Sequence, residues 1–187
     1  MKKFIFILLF SSVLLQAQEK SQFFNSADEF FKTYVENGKV KYAEIKQNPK
    51  LLNKLLGQAK KYKVSPYNPE EFMAFWINAY NLAVIDGIVK NYPVDSPLDI
   101  DGFFDVKKHS IGLQCVTLDE VEYQILFENF PDEKRFHLFL VCAARSCPPL
   151  ISEAYKLETL EYQLETRTKK ALNNPGFYKY NWNLNEL

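Results

Sequence analysis

Cys142, Cys147 and His137 are the residues of this chain best suited by type to nucleophilic chemistry, and they crowd into one stretch, RFHLFLVCAARSCPPL, from Arg135 to Leu150. A thiol attacks as its thiolate, so it needs a lowered pKa, a base within reach and a group that orients that base. Cys147 has Arg145 two residues away to favour the thiolate, His137 is the candidate base, and Asn78 or Asn81 would orient the imidazole. The same loop also suits binding without catalysis. Pro148 and Pro149 fix the backbone that follows, so Arg145, Ser146 and Cys147 are presented by a rigid bend. Arg145 would either pair with Glu71 or hold an anionic ligand, and Asn81 and Glu71 complete the candidate ligand-binding set.

Plain structural roles compete with each of these. A histidine in an apolar run serves as a hydrogen-bonded core residue, a free cysteine such as Cys142 as a small buried filler. Asn78 and Asn81, three apart on one helical face, would tie loop backbone to a helix. The three cysteines form an odd set, compatible either with one disulfide and a free thiol or with three reduced thiols. A bridge from Cys142 to Cys147 is open on spacing alone. No metal site is expected, because His137, Cys142 and Cys147 supply at most three ligands. No cofactor is expected either, since the six glycines form no phosphate-cradling loop. Glu120 and Glu122, two apart on a helix, point away from each other and make no glycosidase pair.

The elements that must position these residues follow from periodicity and breakers. FHLFLV, Phe136 to Val141, reads as a strand covered on both faces. Pro69-Glu70-Glu71 opens a helix that runs to about Tyr92, apolar almost all round and so enclosed by other elements. Asn78, Asn81 and Asp86 interrupt it too often for a membrane span. Before it, Ser26 and Glu29 form a capping box opening a short helix to about Glu36, which Asn37-Gly38 ends. Val40 to Tyr42 suits a brief strand, and Pro49 starts a helix to about Tyr62 with a leucine stripe. After it, Val106 to Val116 reads as a hairpin turning near Gly112, with His109 on an exposed arm. Thr117 and Glu120 form a second capping box, opening a helix to about Glu128. Leu157 to Asn173 is an amphipathic helix, and FYKYNW alternates as a last strand.

Met1 to Ala17 reads as a secretory leader: Lys2 and Lys3, an apolar run of about a dozen residues, then Leu15-Gln16-Ala17. The expected mature domain, residues 18–187, carries 21 basic and 23 acidic residues, with only three arginines. That balance argues against nucleic acid and against a charged membrane surface. An exported location, periplasmic or secreted, is the expectation.

Phe75-Trp76-Ile77-Asn78-Ala79-Tyr80-Asn81, then Thr117-Leu118-Asp119-Glu120-Val121-Glu122, then His137 with CAARSCPPL, resemble in order and spacing the Domain of Unknown Function 547 family. The resemblance runs from about Phe30 to the C-terminal end. It implies an exported bacterial member without the coiled-coil extension of plant members, and it brings no activity. Where family members often carry a histidine, this chain has Tyr123.

The expected architecture is a single, mostly helical α+β domain. Its long central helix packs on a small antiparallel sheet of the 106–116 hairpin, a 135–142 strand and the last strand, in an outline remotely like papain and transglutaminase folds. The expected function is a non-catalytic domain binding a peptide, glycan or envelope protein in a groove beside the Cys147 loop. The alternative is a thiol-dependent acyl hydrolase or transferase built on Cys147, His137 and Asn78.

Overall fold

The computed structural model describes residues 20–143 and 147–174. The leader, Arg145, Ser146 and the expected last strand lie outside the described residues. The described part is mostly helical, with two small two-stranded antiparallel sheets, as an α+β reading requires.

Helix α1, residues 20–34, runs through the Ser26 to Glu29 box rather than starting there. Phe23, Ala27, Phe30, Phe31 and Tyr34 recur at helical spacing and are all buried, so the apolar stripe outweighs the local cap signal. Ser26 is itself buried and accepts a hydrogen bond from Lys54 Nζ. The chain then reverses through β1 (Val35–Glu36) and β2 (Lys39–Val40). Asn37 and Gly38 both have positive φ, 51° and 78°, which is the geometry a two-residue hairpin turn demands. Helix α2 (Tyr42–Gln47) and helix α3 (Lys50–Lys61) follow, α3 burying Leu52, Leu55 and Ala59.

Helix α4, Pro69–Asn91, is the axis of the molecule. Its first turn carries proline, Glu70 and Glu71, which suit the positive end of the helix dipole. It is long and apolar enough to cross a membrane, but 94% of its most apolar window is buried inside the protein, and it serves as a core helix. Helices α2 and α3 pack along it, and Tyr62 stacks on Phe75 at 4.3 Å between ring centres.

Strands β3 (His109–Ile111) and β4 (Gln114–Val116) form the second hairpin, turning at Leu113 and Gly112, both with positive φ. The hairpin packs on α3, and Gly112 sits against Trp76 and Phe75 so closely that a Cβ there would lie 3.0 Å from the indole. Thr117 Oγ1 accepts from the Glu120 amide at 3.1 Å while Glu120 Oε2 accepts from the Thr117 amide at 2.7 Å, a closed capping box. The helix it opens is wound as a π-helix over Glu120–Phe127.

The expected strand at Phe136 to Val141 is not a strand. Residues Lys134–Leu138 form a 3-10 helix, and Phe136, Phe139 and Leu140 are the buried ones. That is helical spacing, hidden in the sequence because nearly every residue of the run is apolar. Arg135 fixes the segment through a fork: Nε donates to Glu133 Oε1 and Nη1 to Glu161 Oε1, both at 2.7 Å. Glu161 lies on helix α5, Leu160–Leu172, which is led in by a 3-10 turn at Leu157–Thr159. One continuous hydrophobic core runs through all these elements.

Candidate functional site

Helix α4 holds two irregular segments in place through its two buried asparagines. Asn78 is 0% exposed; its Nδ2 donates to Ala74 O at 2.8 Å and to Tyr155 O at 2.7 Å, and its Oδ1 accepts from Tyr155 N at 3.0 Å. Asn81 Nδ2 donates to Phe139 O and its Oδ1 accepts from Val141 N, both at 2.9 Å. Each side chain pairs with loop backbone as a neighbouring strand would. Both amide hydrogens of Asn78 and one lone pair of its carbonyl are thus committed to backbone, the tying role open to it from the sequence.

Asn81 thereby delivers the chain to Cys142, which is bridged to Cys147 with a Cα–Cα distance of 6.2 Å. The sulfur expected as nucleophile is spent in the bridge. In this state Cys147 has no thiolate to offer. Cys115 on β4 is the free, exposed cysteine. Pro149 behind the bridge packs against Gly38 of the first hairpin.

His137 also differs from expectation. On the 3-10 helix its side chain is 57% exposed, and Nδ1 lies 2.9 Å from Glu122 Oε1. Glu122 and Phe127 are five apart, and the π-helical winding brings them to one side; the Phe127 ring lies 4.7 Å from the imidazole. Burial pushes the Glu122 carboxyl above its ordinary pKa; His137 opposes this and Asp119 adds to it. Glu122 is the residue the sequence reading missed. Glu122 lies on the π-helix and His137 on the 3-10 turn, fifteen residues on, and no local pattern in the sequence pairs them.

Glu71 belongs elsewhere. Ten residues before Asn81 on α4, it stands about 15 Å away along the axis. Its carboxylate takes hydrogen bonds from Tyr62 Oη at 2.9 Å and Asn68 Nδ2 at 2.7 Å, and pairs with Lys20 at 2.5 Å. It lines a cleft of about 280 Å³ with Phe24, Tyr62, Lys156 and Leu157. Beside the bridged loop is a smaller groove of about 30 Å³, walled by Leu138, Pro148, Pro149, Arg167, Lys170 and Ala171. Among the described residues no group of three His, Cys, Asp or Glu side chains is placed to hold a metal ion.

Fold and site together define a small, mostly helical domain in which a disulfide-closed, proline-backed loop is hung from a buried core helix. The family model described as "Protein of unknown function, DUF547" matches residues 64–171, more than half of the chain, and the chain belongs to that family. No curated protein and no solved structure matches it.

Proposed function

We propose that this chain is an exported, non-catalytic binding domain that takes a peptide, glycan or envelope protein in the groove beside the Cys147 loop. The observation that carries this reading is the Cys142–Cys147 bridge. It removes the nucleophile that a thiol enzyme would need, and such bridges persist in oxidising compartments outside the cytosol. It also ties Cys142 to Cys147 between Val141, which Asn81 holds, and Pro149, which lines the groove, and this favours groove walls formed before a ligand arrives. Leu138 and Ala171 supply apolar contact, and Arg167 and Lys170 supply charge at the rim. Arg167 is anchored by donating to Pro149 O at 2.6 Å.

The test uses the unreduced chain beginning at Gln18. Excess iodoacetamide at about pH 7 should modify Cys115 and leave Cys142 and Cys147 unlabelled. A panel of peptides and envelope glycan fragments, followed by amide NMR, should then shift Leu138, Arg167 and Ala171. Rapid labelling of Cys147, or ligand shifts that avoid those three residues, would overturn the reading.

A further inference from the structure

Two hollows among the described residues differ in charge. The cleft at Glu71 sets Lys20 and Lys156 against Glu71 and Glu158, so its cations and anions balance. The groove beside the bridged loop carries Arg167 and Lys170 and no acidic residue in its wall. Both cations stand on one face of α5, where Arg167, Lys170 and Ala171 recur at spacings of three and four. Like charges so placed repel each other. Lys169, the neighbour in sequence, has Glu165 at 2.6 Å, whereas Lys170 has no carboxylate partner among the described residues.

Arg167 supplies a second observation. Arg135 is forked between Glu133 and Glu161. Arg167 has no carboxylate among the described residues: Nη2 donates to Pro149 O at 2.6 Å, and Nε is enclosed without an acceptor. A guanidinium has five N–H donors, and buried polar groups normally find partners, yet this half-buried one has Pro149 O alone among the described residues. That bond holds the guanidinium against the groove wall. Pro148 and Pro149 themselves have no N–H to offer. A negative oxygen entering the groove therefore meets its charged donors on α5.

Size narrows the ligand further. The groove has about 30 Å³, room for roughly two water molecules at about 10–15 Å³ each. A sugar ring or an aromatic side chain is too large to enter, and an ammonium or guanidinium is repelled. The two oxygens of a carboxylate match the space, and a guanidinium and an ammonium are the donors that bind it most strongly. Leu138 and Ala171 flank the groove and suit the methylene stem behind such a head.

We propose that the groove takes the carboxylate of a glutamate side chain on a partner peptide, with Arg167 and Lys170 as its charged donors. This rests on the reading of the groove as a binding surface, and it selects an acidic peptide among the occupants named there.

The probe is acetyl-Ala-Glu-Ala-amide, titrated into the unreduced chain beginning at Gln18 and followed by amide NMR. Its comparators are the glutamine counterpart and acetyl-Ala-Ala with a free carboxyl terminus. The glutamate peptide should give saturable shifts at Leu138, Lys170 and Ala171. The glutamine peptide, isosteric but uncharged, should bind at least roughly tenfold more weakly. The free-terminus peptide has the charge without the stem and should bind roughly threefold more weakly. Lys170→Gln and Arg167→Lys should each weaken the glutamate peptide by roughly threefold to tenfold. Lys170→Glu should make a lysine counterpart the better ligand. Lys170 is exposed and makes no hydrogen bond or ion pair among the described residues, so its variants keep the test decisive should Arg167→Lys loosen Pro149.

Equal binding of the glutamate and glutamine peptides, with shifts in the groove, would overturn the carboxylate assignment and leave the groove itself standing. Tighter binding of the free-terminus peptide would overturn it in favour of a chain end. Glutamate-peptide shifts that are absent, or that avoid Lys170 and Ala171, would overturn it as well. The groove falls too when the wider panel of peptides and glycans also avoids Leu138, Arg167 and Ala171.

Discussion

Asn78 and Tyr155 exchange two hydrogen bonds, the side-chain amide of one satisfying both the N–H and the C=O of the other at 3.0 and 2.7 Å. Tyr155 lies in a stretch with no regular secondary structure, 77 residues away in sequence, and is itself buried. A core helix here does the work of a missing strand. Asn78→Ala strands both backbone groups of Tyr155, each worth about 1–3 kcal/mol when left unpaired. The expected loss is about 2–4 kcal/mol in urea unfolding. Asn78→Asp should cost at least as much, because a carboxylate cannot donate to Ala74 O or Tyr155 O.

The Cys142–Cys147 bridge closes a loop with a sequence separation of five. By loop-closure entropy such a short link stabilises by about 2 kcal/mol. The Cys142→Ser, Cys147→Ser double variant should therefore unfold at lower denaturant with nearly unchanged slope, and reductant should shift the native protein by a similar amount. Reductant should leave the double variant where it is.

His109, on strand β3 of the second hairpin, titrates below its ordinary value chiefly because of burial; Asp86 opposes this, while Lys90 and Lys107 add to it. The folded state thus holds the neutral ring. Above the unfolded value of about 6.5 its contribution is fully present, and it is lost as pH falls from there through the lower folded pKa. Urea unfolding should show stability declining on acidification through that window, and His109→Leu should flatten the decline. Glu122, with its raised pKa, acts in the opposite sense, favouring the fold below its unfolded value and losing that contribution as pH rises through the folded one. The slope is therefore to be compared between variant and wild type.

Gly38 and Gly57 should respond oppositely to alanine. At Gly38, φ is +78° and the new Cβ would lie 2.3 Å from Pro149 Cβ, so Gly38→Ala should destabilise by about 1–3 kcal/mol. At Gly57, within α3, a Cβ meets nothing within 4 Å, and Gly57→Ala should stabilise by about 0.5–1 kcal/mol. Paired thermal melts of the two variants check both.

Features written in local chemistry were legible in the sequence. Pro69 and its acids mark the start of α4, and Thr117 with Glu120 marks a capping box that closes as expected. Where several physical outcomes share one pattern, the sequence was ambiguous. FHLFLV is apolar enough for a strand or a buried turn, and what selected the turn is tertiary: Asn81 claims the backbone at Phe139 and Val141, and Arg135 clamps the entry to Glu133 and Glu161. Ser26 had the residues of a cap but lay inside a longer apolar stripe. Of the cysteine loop, spacing left the choice between a bridge and free thiols open, and the structure closes it as a bridge. The Glu122 to His137 contact was invisible, because it joins two elements whose packing no local pattern fixes.

The stretch matched by the family model starts at residue 64, yet α4 does not finish its own walls. Phe23 from α1 meets Phe75 at 5.3 Å, Tyr62 covers the same ring, and Gly38 buttresses Pro149 behind the bridge. The border of recognisable kinship thus runs through the middle of the folding unit. A fragment trimmed to residues 64–171 would bare an aromatic wall along α4 and should precipitate or stay molten, however faithfully it reproduces every shared motif.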